Sequence, residues 1–312
     1  MEWSDRIGRR IKLRDLHILL AVVQQGSIAR AAKHLAVSQP VVSKVIADLE
    51  RVLGVRLLER DRHGAEPTIY GNELLKHGLV VFDELRQSVE AIEFLSDPTG
   101  GELNIGSTNA MAAGLLPVVI SLLHRRHPRL AFHILQASST AALHRELRER
   151  NVDLILGRIL MPFVEDDLNA DALFNDSLLV VAGSRNRWVG RRKVELGDLV
   201  HEPWVLPPTG TAGDAMVSET FRAFGLKSPR RGIVCTSIQM HDALLASGPY
   251  LSMRPASTVR FRGKHPSIKA LPIKLPILPE PMGIITLKAR TISPVARLFI
   301  DCVRQVAKPL AG

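Results

Sequence analysis

The 312 residues contain two cysteines, Cys235 and Cys302. That is too few for a disulfide framework or a cysteine metal cluster, and it suits a reducing compartment. Both read as small core residues. Aromatic side chains make up only 4% of the chain. No apolar run approaches the ~18 residues that a membrane-crossing helix needs. The opening "MEWSDRIGRRIKLRD" has no apolar stretch behind its charges, so no secretion signal is read and a cytoplasmic protein is expected. Catalytic signatures are missing too. There is no G-x-S-x-G elbow and no G-x-x-x-x-G-K-[ST] loop. His124 and His127, in "HRRHP", sit among arginines at a spacing that matches no zinc pattern, and are expected on the surface. The acidic "EDD" at 165–167 reads as a solvated or capping loop. The expectation is no enzyme, no catalytic residue, no metal and no cofactor.

What the chain does have is apolar mass and positive charge. It is 46% hydrophobic, enough for two or three domains with real cores. Net charge is +10, which suits a polyanionic partner. The distribution is uneven. Residues 1–44 hold eight Lys/Arg against three Asp/Glu, whereas residues 1–95 hold 14 against 13. Bulk charge therefore does not locate a nucleic-acid site, although the first 44 residues are locally basic.

The period of the apolar residues is more informative. Leu16, Leu19, Leu20 and Val23 are spaced for a helix over 13–25, which Gly26 stops. Ser27 then opens the short Ala-rich helix "SIARAAKHL". After the tight link "AVS", with Ser38 as N-cap and Pro40 early in the first turn, comes "SQPVVSKVIADLE". At about 100° per residue, Gln39, Pro40, Ser43, Lys44, Ala47 and Arg51 share an arc of roughly 140°. Val42, Val45, Ile46, Leu49 and Leu53 fall opposite. One face is built for a core, and the other is short, polar and basic. Two helices joined by so short a turn form a helix-turn-helix. "VRLLERDRHGAEPTIY" follows and reads as a two-stranded wing.

From Tyr70 to Leu95 a long helix carries an apolar stripe of Leu75, Leu79, Phe82, Leu85, Val89 and Ile92, which a partner chain would bury. "SDPTGG" ends it. Beyond lie alternating strand and helix patterns, which imply a parallel sheet with right-handed crossovers. "GELNIGS", "RLAFHILQA" and "VDLILGR" read as strands of one half. "SLLVVAGS", "WVLPP", "RGIVCTS" and "YLSMRP" read as strands of a second. Segment 271–287 looks like strands again, and "SPVARLFIDCVRQVAK" like a closing amphipathic helix.

In this order of parts the chain resembles the LysR-type transcriptional regulators over essentially its whole length. The resemblance rests on "LHILLAVVQQGSIARAAKHLAVSQPVVSKVIADLERVLGVRLLER", the wing, the long helix, and an α/β domain beginning with "GSTNA". It implies an α/β protein overall: an N-terminal winged helix-turn-helix, a linker helix, and a two-lobed effector domain like a periplasmic binding protein. The expected boundaries are 1–69 for DNA binding, 70–97 for the linker, and 98–312 for the effector domain. Lobe 1 would take about 100–170 and 272–312, and lobe 2 about 171–271. The resemblance also implies a dimer through the linker helix and commonly a tetramer.

Both lines nominate the same DNA-binding residues. Gln39 can pair with adenine, and Lys44 can reach guanine or a phosphate. Many relatives have Arg at the position of Lys44, whose ammonium lacks the rigid fork. Ser43 is small enough to let the backbone approach, and Pro40 lies on the same face. Ser27 and Ser38 suit phosphate oxygens at helix starts. Arg60, Arg62 and His63 lie around the wing, within reach of backbone or minor groove.

A cleft between two α/β halves takes ligands beyond the carboxyl ends of strands. There, Ser107, Thr108 and Asn109 of "GSTNA" and Thr209, Gly210 and Thr211 of "PPTGTAGD" would offer hydroxyls and helix N–H groups. Arg158, at the end of "LILGR", would put a guanidinium at the mouth or form an ion pair with Asp153 or a downstream carboxylate. The hydroxyls equally serve as plain caps. Helix starts plus an arginine favour an anion, and the hydroxyls a hydroxylated effector. The expected function is a sequence-specific regulator whose promoter geometry an effector modulates, with RNA polymerase as a further partner. The rival is an architectural DNA-binding protein without a ligand.

Overall fold

Gly26 turns the chain through the left-handed region at φ 61°, and the N-terminal unit is built around that turn. The computed structural model describes residues 10–61, 64–137, 139–261, 267–275 and 279–310. Helices α1 (Leu13–Gln25), α2 (Ile28–His34) and α3 (Gln39–Leu53) come first. Strands β1 (Leu58–Asp61) and β2 (Gly64–Pro67) form the wing, and the long helix α4 runs Ile69–Ser96. Ile18, Leu19, Val22, Ala31, Ala32, Val42, Ile46 and Leu49 are buried together. At ~1.5–3 kcal/mol for each large side chain, this seam holds the three helices together.

Close backbone approaches fix the wing. Gly64 presses on the α1–α2 turn, where an added Cβ would lie 2.4 Å from the Gly26 carbonyl oxygen. The Ala65 N–H donates to that same oxygen at 3.0 Å. Glu50 of α3 accepts from the Leu57 and Leu58 amides, so the helix carries its wing with it. Between α2 and α3 the turn residue is Ala36 at φ 53°, a conformation that usually falls to glycine. Leu53, assigned to the core arc from its helix angle, is 37% exposed because Gly54 ends α3 there.

Along α4 the apolar stripe divides. Leu75, Leu79 and Phe82 face Leu16 and Leu20 of α1. Leu85, Val89, Ile92 and Leu95 are exposed, the last two by 64% and 82%. Among the described residues no helix is long and apolar enough to cross a membrane.

The second unit contains β3 (Gly100–Thr108), α5 (Asn109–Ala113), α6 (Leu115–Arg126), β4 (Arg129–Ala137), α7 (Thr140–Arg148), β5 (Leu154–Arg158) and β6 (Leu168–Asp176). It continues with β7 (Leu178–Gly183), β8 (Trp204–Leu206), α8 (Ala212–Ala223), β9 (Arg231–Val234), α9 (Ile238–Ser247), β10 (Leu251–Pro255) and α10 (Ala256–Arg260). β11 (Ile268–Ala270), β12 (Glu280–Leu287) and α11 (Pro294–Ala307) complete it. Two five-stranded sheets result, ordered β4-β3-β5-β12-β6 and β11-β7-β10-β8-β9. Each has its own core, one around Phe299, Leu103 and Ile105, the other around Trp204 and Phe221.

The sheets are mixed, not parallel throughout. β3, β4 and β5 are parallel, but β12 runs antiparallel to both β5 and β6. β7 is likewise antiparallel to β10 and β11. The reversals arise where the chain passes from one sheet to the other. The first passage follows Asp176, later than the expected 170–171, because "LNADALFND" is an edge strand of the first sheet. Asp176 is buried there and accepts from the Ser257 amide and hydroxyl at 3.0 and 2.5 Å.

Candidate functional site

On α3, burial of Val42, Ile46 and Leu49 leaves Gln39, Pro40 and Lys44 exposed and Ser43 half-buried. Ser27 and Ser38 stand at the starts of α2 and α3, yet neither hydroxyl makes a capping hydrogen bond. This differs from Ser139, Thr211, Ser237 and Ser293, each of which accepts from an amide of its own helix. At both helix starts the hydroxyl is uncommitted to capping and stands beside first-turn N–H groups, a combination suited to phosphate oxygens. Arg60 is exposed on β1, with Nη2 3.9 Å from Glu50 Oε2. Arg62 and His63 lie outside the described residues.

In the second unit, a cleft of about 210 Å³ opens between the two sheets. Thr108, Asn109, Arg158 and Thr211 line it. Ser107 does not. Strand alternation turns it into the core, where it is fully buried and its hydroxyl donates to the Thr108 carbonyl. Thr209 and Gly210 also fall outside the lining. Gly210 takes φ 79° in the turn before α8 and donates its N–H to Asp214 Oδ2 at 3.0 Å. Thr211 lines the cleft but its hydroxyl is engaged, donating to Pro208 O at 2.7 Å and accepting from the Asp214 amide.

Arg158 does form an ion pair. Its Nε lies 2.8 Å from Glu280 Oε2, and its Nη2 lies 2.8 Å from Met216 Sδ on α8. Burial pushes the Glu280 carboxyl up, against the pull of Arg158. Asp153, the other candidate partner, pairs instead with Arg290 at 2.7 Å.

Sequence reasoning missed several residues here. Arg254, at the end of β10, lines the cleft although it is only 3% exposed. It holds Asp242 at 2.5 Å and donates to the Ile238 carbonyl at 3.0 Å. Burial pulls its guanidinium down to about 10. Beside it, His241 Nε2 contacts the Cys235 carbonyl at 3.0 Å and Nδ1 contacts Ser252 Oγ at 2.9 Å. A carbonyl only accepts, so Nε2 carries the proton and Nδ1 accepts from Ser252. Burial lowers the imidazole, and neighbouring Arg254 pushes the same way. Cys235, read as a core residue, lines the cleft instead, while Cys302 is buried in the first core. Met216, Val217 and Met253 supply apolar wall. The signal available in sequence was an arginine inside the strand-like stretch "YLSMRP".

Two groups outside the cleft are structural. His144, Glu165, Arg148 and Asp167 form one hydrogen-bonded network, so "EDD" serves an ion-pair cluster. His127 is half-buried at the end of α6, and His124 is exposed.

Comparison with known proteins adds a family. The bacterial regulatory helix-turn-helix of the lysR family matches residues 13–72, and the LysR substrate binding domain matches residues 96–308. An uncharacterized HTH-type transcriptional regulator of Escherichia coli (strain K12), YdcI, is 30% identical across 98% of this chain and 99% of its own. The HTH-type transcriptional regulator GbpR of Azospirillum brasilense is 29% identical across 95% of this chain and 86% of its own. A full-length OxyR variant from Pseudomonas aeruginosa shares the fold at TM-score 0.65 and 23% identity, covering 96% of this chain and 97% of that one.

Proposed function

The chain belongs to the LysR family of DNA-binding transcriptional regulators, and on that premise we propose that it reads promoter DNA with α3 and couples that reading to a small molecule held between its two sheets. The family is one of regulators rather than enzymes. In this reading residues 1–69 bind DNA, 70–97 link and dimerise, and 98–312 sense the effector. Gln39 and Lys44 contact base edges, Ser43 and Pro40 admit the backbone, and Ser27, Ser38 and Arg60 contact phosphates. Arg62 and His63 extend the contact from the wing.

The exposed half of the α4 stripe, Leu85 to Leu95, pairs with a second copy. Two such dimers make a tetramer that holds separated half-sites of one promoter. An effector that binds one arrangement of the lobes better than another shifts the angle between the DNA-binding pairs. Couplings of this kind are ~1–3 kcal/mol. The DNA bend changes with them, and so does access for RNA polymerase, in the cytoplasm.

The observation that carries the reading is the conjunction, within one helix-turn-helix, of uncapped Ser27 and Ser38 with exposed Gln39 and Lys44. Fluorescence anisotropy on a dyad-symmetric site tests it. Lys44→Ala or Gln39→Ala is expected to weaken specific binding by ~1–3 kcal/mol without changing the oligomer. Unchanged affinity in both variants contradicts the assignment.

A further inference from the structure

Taking the cleft as the effector site, an inference that rests on the functional reading above, we propose that the effector is an uncharged molecule. It has an apolar body and a hydroxyl- or amide-bearing end, and is neither a carboxylate nor a phosphate. The sequence favoured an anion because of helix starts and Arg158. In the folded chain those devices are already occupied from within.

Arg158, Arg254 and His241 are the cationic side-chain types among the described residues that line the cleft. Arg158 is held by Glu280 at 2.8 Å. Arg254 is held by Asp242 at 2.5 Å and by the Ile238 carbonyl. An incoming carboxylate would have to share a guanidinium with a carboxylate already on it, against like-charge repulsion, or displace that partner. Displacing Glu280 would leave its half-buried carboxylate without the Arg158 counter-charge, the costly half of breaking an ion pair. His241 has both ring nitrogens engaged, and burial keeps it neutral.

The helix starts are taken as well. At α8, the buried Asp214 carboxylate already sits in the first turn, accepting from Gly210, and Thr211 caps the Asp214 amide. That built-in negative charge opposes a second one. At α9, Ser237 accepts from the Met240 amide. α5 is only five residues long.

What is left open is uncharged. Thr108 Oγ1 lines the cleft, buried and without a hydrogen-bond partner among the described residues. A second cavity of about 250 Å³ adjoins the cleft, sharing Asn109, Thr236 and Ile238 with it. Its remaining polar lining is Gln136 and the hydrogen-bonded pair Ser237 and Gln239, whose amide nitrogen is not used in that bond, and it contains no ionisable side chain. Amides and hydroxyls both donate and accept, which matches hydroxyl or amide groups on a ligand. The cleft itself, walled by Met216, Val217 and Met253, takes the apolar body.

The test uses the full chain and two matched pairs: phenyl β-glucoside against phenyl β-glucuronide, and benzamide against benzoate. Calorimetry is expected to give the neutral member of a pair at least about tenfold higher affinity. Glu280→Gln, which frees Arg158, is expected to narrow or reverse that preference. Thr236→Trp, at an exposed position where the two cavities meet, is expected to block binding without altering the melting transition. Tighter binding of the carboxylates, still blocked by Thr236→Trp, overturns the proposal and leaves the cleft reading standing. Binding that survives Thr236→Trp overturns the cleft reading itself. If neither neutral probe binds at millimolar concentration, the proposal fails.

Discussion

Thr108 packs directly on Gly157: a Cβ added at Gly157 would lie 3.0 Å from Thr108 Cγ2. The glycine makes room for a threonine whose hydroxyl then points to no partner. A buried polar group left unpaired costs ~1–3 kcal/mol. Replacing Thr108 with the isosteric valine is therefore expected to raise stability of the ligand-free chain by about 1 kcal/mol in chemical denaturation. The same variant should lose part of any ligand-induced stabilisation. A Thr108→Val chain that is less stable, yet responds normally to ligand, contradicts this account of the cleft.

The serines at helix starts divide into two kinds. Ser237 and Ser293 accept amides of their own helices at 3.2 Å. Changing either to alanine is expected to cost ~1 kcal/mol. Ser27 and Ser38 make no such bond. Their alanine variants are expected to stay within ~0.5 kcal/mol of the wild type but to bind DNA more weakly. Urea midpoints and anisotropy titrations on the same four variants check the contrast. A clear stability loss in Ser38→Ala without loss of DNA affinity would return Ser38 to a plain cap.

Exposed Leu85 and Ile92 on α4 are spaced for one face of a helix. Leu85→Glu and Ile92→Glu together are expected to convert the oligomer to monomers in sedimentation velocity, with the helix content unchanged. An oligomer of wild-type size in the double variant moves the interface elsewhere.

Two buried groups give opposite pH signatures. Burial holds His241 below the usual imidazole range. Its contribution is complete above about pH 6.5 and is lost as pH falls toward the folded value, because the unfolded chain then binds more protons. His241→Gln should flatten that acid-side loss. Asp176 lies above the usual carboxylate range, burial outweighing the bonds from Ser257. Its contribution is present below about pH 4 and is lost as pH rises through the folded value. Asp176→Asn should remove that fall. Denaturation free energies between about pH 4 and 7, variant against wild type, isolate each slope.

The helix-turn-helix was legible because its signals are local. Gly26, Ser38, Pro40 and the spacing of Val42, Ile46 and Leu49 lie within one another's reach along the chain. The effector domain was legible as alternating elements, but not in strand direction or in its polar partners. "LNADALFND" hides as a strand because Asn169, Asp171 and Asn175 fit a sheet edge, not a core. Whether Ser107 or Thr108 faces the cleft depends on a one-residue register that the period of two leaves open. The pairing of Arg158 with Glu280 joins residues far apart in sequence, brought together when β12 runs antiparallel to β5. That contact changes the expected effector charge, and no local pattern announces it.

The central claim is that this chain reads specific DNA. The most direct measurement is to sequence the genomic fragments that the full chain retains at ~150 mM salt, where non-specific phosphate binding is largely suppressed. The account predicts sharp enrichment over dyad-symmetric sites, lost in Lys44→Ala. Diffuse recovery with no shared motif would contradict it and favour an architectural role without sequence readout.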